Sequence, residues 1–310
     1  LSIGLVKKVE IISWLQNFGD KGVKREVFMS AFYLFFCAVC IGVLEGVTEW
    51  LPISSTGHLL LVEQLIPFKG LSEGFFDMFD VVIQLGAIMA VVVLYWKEIF
   101  PFRITKKHAV KVEVDKDIFS MWFKILVACV PAAVVGLALD DILEKYLYNG
   151  YVVAAMLILF GVAFIFVENW NKGREYSVNT LAELTYRSAL IIGVFQLIAA
   201  VFPGTSRSGA TIVGALLIGV SRKVAAEFTF FLAIPVMFGA SLLKLLKFGF
   251  DFSAIELAAL LVGMVVAFAV SMVVIKFLMG YIKKHDFKVF GWYRIVLGIV
   301  VLLCGVVGII

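Results

Sequence analysis

Six stretches of this chain, 77–96, 119–139, 151–169, 225–246, 256–279 and 289–310, run unbroken in apolar residues. Each is about as long as the roughly 20 helical residues that cross a hydrocarbon core of about 30 Å. Only helices or closed barrels satisfy every backbone polar group in lipid. The runs are continuous rather than alternating, so helices are predicted over a barrel. The whole chain agrees: 62% of its residues are hydrophobic and its mean hydropathy is +1.04, where a soluble domain is close to half apolar. The expectation is an all-α polytopic membrane protein.

The formal charge of +4, 27 Lys and Arg against 23 Asp and Glu, fits a chain that biases its basic loops to one side of a membrane. It implies no nucleic-acid partner. Cys37, Cys40, Cys129 and Cys304 all lie in apolar stretches and read as small buried hydrophobes. The Cys37–Cys40 spacing lacks the partner pair that a zinc site needs. Residues 1–28 are charged and only patchily apolar. They read as an N-terminal extension, either an amphipathic helix at the interface or a segment foreign to the natural chain. No cleavable signal peptide is evident there. Residues 29–310 read as one membrane domain made of two repeats, about 30–169 and 185–310.

Two further apolar regions, 30–66 and 185–221, are interrupted. The first breaks at Pro52-Ile53-Ser54-Ser55-Thr56-Gly57-His58, the second at Pro203-Gly204-Thr205-Ser206-Arg207-Ser208-Gly209. Such clusters end helices, and broken backbone at membrane depth must be buried in protein or line a wet cavity. Both regions are predicted to be re-entrant helix–loop–helix pairs. They also resemble each other. Gly42-Val43 precedes Pro52 as Gly193-Val194 precedes Pro203, Ser55 aligns with Ser206, and Gly86-Ala87 matches Gly239-Ala240. Duplication of a half-chain unit follows. One re-entrant pair and three spans per half put the copies in opposite orientations, an inverted-topology repeat whose site lies where the broken helices meet.

The charges of the loops orient the chain. Lys and Arg number six in 97–118, three in 170–187, two at Arg222–Lys223 and three in 280–288; loops 67–76, 140–150 and 247–256 hold one each. The basic loops are therefore expected in the cytoplasm. The first re-entrant pair then enters from outside and the second from the cytoplasm. Residues 1–28, with five Lys and Arg, conflict with this assignment.

Charges within membrane segments are costly and mark function. Glu45 and Glu49, four residues apart, share one helix face and suit a divalent cation; the bland alternative is a carboxylate pair bonding a broken helix end. Ser54, Ser55 and Thr56 follow, and His58 lies three residues beyond Ser55. A hydroxyl near an imidazole is the minimum for an activated nucleophile; the alternatives are that His58 activates water or protonates a leaving group, or is structural. Thr205-Ser206-Arg207-Ser208-Gly209 reads as a phosphate cradle, with a planar guanidinium fork, hydroxyls and a helix N-terminus; the bland reading is an arginine satisfying carbonyls at a kink. Gln196 and Ala200 replace the two acids in the second copy. The halves thus supply an acidic, His-bearing face and a cationic one. Asp80 and Gln84 are weaker candidates for the same cavity. Glu168 reads as interfacial, Glu227 as a local partner of Arg222 and Lys223, and His108 and His285 as solvated.

Residues Glu45 to His58 resemble the E-G-x-T-E-[F/W]-L-P-[I/V]-S-S-T-G-H motif of the bacterial undecaprenyl-pyrophosphate phosphatases of the BacA type. Pro203 to Thr211 is similar to that family's P-G-x-S-R-S-G-A-T, and Val82-Ile83-Gln84-Leu85-Gly86 and Tyr293-Arg294 also match it. The resemblance covers about residues 30–310. It implies hydrolysis of undecaprenyl pyrophosphate to the monophosphate and phosphate, recycling of the carrier for cell-wall synthesis, and bacitracin resistance. It implies catalytic roles for Glu45, Glu49, Ser55, His58 and Arg207; the residues beside them at the breaks, Ser54, Thr56, Thr205, Ser206, Ser208 and Gly209, together with Gln84, are expected from their own chemistry to bind substrate. It further implies Mg²⁺ or Ca²⁺ on Glu45 and Glu49, and a site facing outward from the bacterial inner membrane. A homodimer is left open. The rival reading is a polyprenyl-phosphate flippase or other secondary transporter, because inverted repeats with broken helices are a transporter signature. A structural scaffold is the third; it leaves the midplane charges unexplained.

Overall fold

The computed structural model describes residues 21–66, 72–105, 111–250 and 252–310. The chain is a bundle of helices: α1 (Lys21–Thr48), α2 (Ser55–Leu65), α3 (Phe75–Val82), α4 (Gln84–Leu94), α5 (Trp96–Ile99), α6 (Lys116–Leu147), α7 (Gly150–Trp170), α8 (Tyr186–Val201), α9 (Arg207–Leu217), α10 (Arg222–Phe248), α11 (Ala254–Tyr281) and α12 (Lys288–Val306). One exception lies in the basic loop 97–118. Strands β1 (Phe102–Thr105) and β2 (Lys111–Val114) pair antiparallel there, with Phe102 opposite Val114. The all-helical expectation therefore holds for the bundle but not for this hairpin. The amphipathic reading of residues 1–28 falls mostly outside the described residues, and so does His108.

Seven helices among the described residues are long and apolar enough to cross a membrane, and the protein is a multi-pass membrane protein. Six of them are the predicted spans. The seventh, Ala31–Thr48, belongs to a region predicted to form only the limb of a re-entrant pair. Proline is absent from the chain before Pro52, so nothing ends the helix early and α1 reaches 28 residues. Its counterpart α8 has 16, short of a full crossing. Within 75–94 the helical ladder is interrupted at Ile83. That residue keeps helical angles, φ −61° and ψ −23°, so α3 and α4 run on as one apolar stretch.

Glycines let the helices approach closely. α7 packs on α12 and α1 on α11. A Cβ at Gly161 would lie 2.7 Å from the Gly291 carbonyl oxygen, and one at Gly42 would lie 2.7 Å from the Gly263 carbonyl. Real side chains have no room there, so backbone meets backbone. Without a hydrophobic force between helices in lipid, this close packing is the main source of cohesion. The largest core cluster gathers around α10, where Phe228, Phe230 and Phe231 are buried. Trp50 meets Phe230 edge to face with ring centroids 5.3 Å apart. The first break is thereby seated against the second half of the chain.

Glu168 departs from its interfacial reading. Its side chain is fully buried, and it accepts from Arg222 Nε at 2.9 Å and from the Phe287 backbone N–H at 2.9 Å. It ties the end of α7 to the start of α10 and to the turn before α12. Glu227 is left with Lys223, at 3.7 Å, because Arg222 is committed to Glu168. His285 is exposed and stacked on Tyr281. All four cysteines are free; Cys37 is buried, whereas Cys40, Cys129 and Cys304 are only partly so.

Candidate active site

Both predicted breaks are built alike. α2 starts after Ser54, whose φ is +74° and whose side chain accepts from the Gly57 N–H at 3.4 Å. α9 starts after Ser206, with φ +65° and a bond from the Gly209 N–H at 3.2 Å. These are the sole non-glycine residues with positive φ among the described ones. A side chain held there costs on the order of 1–3 kcal/mol and persists only where its surroundings enforce it. Serine suits the position because its hydroxyl caps the helix that follows.

This geometry corrects the alignment of the breaks. Ser54, not Ser55, is the counterpart of Ser206. The second loop carries one residue more between its proline and its cap, and Gly204 takes it up at φ +85°. Ser55 and Arg207 are therefore equivalent, each opening an 11-residue helix.

The two regions meet at Glu49 and Arg207. Arg207 Nη2 donates to Glu49 Oε1 at 2.8 Å, with the side chains only 13% and 10% exposed. Arg207 Nη1 donates to the Thr229 carbonyl at 2.9 Å, and its Nε is buried without a partner. Glu45, one turn before Glu49, is completely buried, and neither of its carboxylate oxygens has a hydrogen-bond partner. Glu49, Asp80 and Gln84 are its polar neighbours. Asp80 Oδ1 and the Thr205 hydroxyl are likewise buried and unpartnered. Such a concentration of unsatisfied polar atoms is expected of a ligand site, not of a finished core. No group of three or more His, Cys, Asp or Glu is gathered as a metal site among the described residues.

His58 is half-buried on the first turn of α2. Its Nδ1 lies 2.6 Å from the Ser54 carbonyl oxygen and its Nε2 lies 2.7 Å from the Tyr293 hydroxyl. Ser55 and Thr56 stand half-buried on the same turn. Ser206 and Ser208 join hydroxyl to hydroxyl at 3.1 Å across the opening of α9. Gln84 opens α4 and is half-buried. Gly209 is buried, and a Cβ there would come within 2.9 Å of Arg294 Nη1.

Arg294 is the residue that the sequence reading left without a role. It is fully buried in α12 and donates to the Pro52 carbonyl at 3.3 Å, the Gly204 carbonyl at 3.0 Å and the Thr205 carbonyl at 2.7 Å. One guanidinium thus braces both breaks. The argument that singled out Arg207, the expense of a charge at membrane depth, applies equally to an arginine six residues into the apolar run 289–310.

A helical membrane protein is thus defined, in which one carboxylate and one guanidinium, Glu49 and Arg207 from the two helix breaks, form a buried ion pair one turn from the fully buried Glu45. Residues 38–300 match the family described as Bacitracin resistance protein BacA, and the chain belongs to that family. It is 63% identical over 268 residues to the undecaprenyl-diphosphatase of Desulfitobacterium hafniense, covering 86% of this chain and 95% of that protein. It is 62% identical over 265 residues to an undecaprenyl-diphosphatase of Enterococcus faecalis, with the same two coverages. The undecaprenyl-diphosphatase of Acetivibrio thermocellus is 58% identical over 266 residues, 86% of this chain and 96% of its own.

Proposed function

We propose that this protein hydrolyses undecaprenyl pyrophosphate to undecaprenyl phosphate and phosphate, recycling the lipid carrier for cell-wall synthesis and conferring bacitracin resistance. The observation that carries the reading is the Glu49–Arg207 contact at 2.8 Å across 158 residues of chain. It joins the acidic break to the cationic one. Family membership and the names of the relatives supply the substrate.

In this reading Arg207 exchanges its bond to Glu49 for the pyrophosphate and stabilises charge developing on the transferred phosphoryl group. The hydroxyls of Ser54, Thr56, Thr205, Ser206 and Ser208, the Gly209 N–H and Gln84 orient the substrate. Water, or Ser55 with water following to release the phosphoryl group, attacks the terminal phosphorus as the bridging P–O bond breaks and undecaprenyl phosphate leaves, and His58 takes the proton of the attacking hydroxyl. The Ser54 carbonyl is an acceptor, so the proton of neutral His58 sits on Nδ1 and the basic lone pair on Nε2.

Glu45 fits a divalent cation, Mg²⁺ or Ca²⁺. Both its oxygens are buried and unshared, and Glu49 engages Arg207 through Oε1 alone. Mg²⁺ sites commonly use one or two carboxylates and complete their shell with water and substrate phosphate. Glu45 and Glu49 would hold the ion, which supplies neutralisation of pyrophosphate charge.

The paired serine caps support an inverted-topology repeat, about 30–169 and 185–310, within one membrane domain, residues 29–310, preceded by the extension 1–28. Each half would carry a re-entrant pair, α1–α2 and α8–α9, with the long α1 continuing past the first pair. The basic loops support a site that faces outward from a bacterial inner membrane. Phosphate release from undecaprenyl pyrophosphate by the purified protein in detergent micelles tests the activity. Hydrolysis needs no second compartment, so a pure transporter releases none.

A further inference from the structure

Tyr293 stands on the proton-accepting side of His58, and we propose that it is a positioning residue that fixes the ring of His58 for its work as base. The inference rests on the hydrolytic reading above and adds a residue that the motifs leave without a role.

In the neutral ring the contact has one consistent assignment. Nδ1 of His58 faces the Ser54 carbonyl at 2.6 Å, which can only accept. The neutral ring therefore offers a lone pair at Nε2, and the hydroxyl 2.7 Å away donates to it. The two ring planes lie within 14° of each other, with 5.6 Å between centroids, so the hydroxyl meets Nε2 edge to edge. The two hydrogen bonds hold the imidazole at both nitrogens and oppose a flip. A flip about Cβ–Cγ would set Cδ2–H against the Ser54 carbonyl and Cε1–H against the Tyr293 hydroxyl, losing both bonds. The neighbour in sequence, Arg294, is fastened to the Pro52, Gly204 and Thr205 carbonyls. Tyr293 is thus held at a fixed place relative to the cap of α2 that carries His58. Nε2 is also where His58 takes up a proton, and on that transfer the hydroxyl turns about its C–O bond and accepts from the new Nε2–H, so the ring stays tied to Tyr293 in both protonation states.

A tyrosine 46% exposed on a membrane helix has a simpler explanation, an aromatic ring at the membrane interface. That role is independent of His58, and a double-mutant cycle separates the two. Tyr293→Phe keeps the ring and removes only the hydroxyl. We measure kcat and KM for phosphate release with Tyr293→Phe, His58→Gln and the double variant in micelles. Tyr293→Phe is expected to lower kcat about tenfold, the effect of one hydrogen bond lost from the base, with KM nearly unchanged. In the His58→Gln background it is expected to cost nothing further. Equal losses in both backgrounds, or an unchanged kcat in Tyr293→Phe, overturn the proposal. A second readout does not depend on turnover. The chain has three histidines, so ¹⁵N-histidine labelling isolates His58 by comparison with His58→Gln. Its Nε2 resonance should shift in Tyr293→Phe while Nδ1 stays protonated. An Nε2 resonance unmoved by the substitution refutes the contact. Should the wild-type protein release no phosphate, the hydrolytic reading fails by itself, and the resonance still decides the contact.

Discussion

Replacing Arg207 by methionine separates the two tasks of the Glu49–Arg207 pair. The side chains are only 10% and 13% exposed, so water does little to screen what is left behind. Removing one partner of a buried ion pair strands the other, at about 3–5 kcal/mol. The Thr229 carbonyl also loses its donor, adding about 1–3 kcal/mol if no other donor reaches it. Arg207→Met should therefore unfold at a clearly lower temperature in detergent. Replacing both residues, Arg207→Met with Glu49→Leu, removes the stranded charge. Such apolar replacement of a buried pair is often neutral or stabilising, so the double variant should recover most of the lost stability. Activity should behave differently. Loss of one donor to developing charge costs about 10²–10³ in turnover, and the double variant should remain as inactive as the single. The assays are thermal unfolding by intrinsic fluorescence and phosphate release by folded protein. An Arg207→Met protein as stable as wild type contradicts the pairing. A double variant that regains turnover with stability reduces Arg207 to a structural tie.

Other substitutions test the scaffold and the ion. Arg294→Lys reaches at most part of the three carbonyls now held; kcat should fall further than thermal stability does, as measured on the same preparation. Gly161→Ala puts a methyl 2.7 Å from the Gly291 carbonyl oxygen; overpacking of about 1–3 kcal/mol should lower the unfolding temperature without changing KM. Glu168→Gln loses the charge that holds Arg222 and Phe287 together; stability should drop by about 1–3 kcal/mol while turnover per folded molecule is kept. Chelation should abolish phosphate release, Mg²⁺ or Ca²⁺ should restore it, and Glu45→Gln should raise the cation concentration needed for half-restoration.

The parts of the site that were legible in sequence are those whose chemistry is expensive in lipid. Glu45, Glu49, His58 and Arg207 each stand out in an apolar background, and the two breaks announce themselves through Pro52 and Pro203. What those residues touch was not legible. That Glu49 meets Arg207, 158 positions away, depends on how the breaks are folded against each other. Arg294 carried the same signal as Arg207, but no Pro or Gly cluster surrounds it, and the run 289–310 read simply as a span. The offset between Ser54 and Ser206 was hidden because an added loop residue changes the register without altering the pattern of residue types. The length of α1 escaped notice because the break at Pro52 says where the helix ends and nothing about where it begins. Glu168 was misread for a related reason: position near a span end suggested water, whereas Arg222 and the Phe287 N–H enclose it from other parts of the chain.

The central claim is that this membrane fold performs hydrolysis with its own acid–base group. The most direct measurement is single-turnover phosphate release from undecaprenyl pyrophosphate in micelles by the wild-type protein and by His58→Ala, each shown to be folded by its thermal transition. Rapid release is expected of the wild type, and a rate lower by about 10²–10⁴ of His58→Ala. Release by His58→Ala at the wild-type rate would contradict the claim.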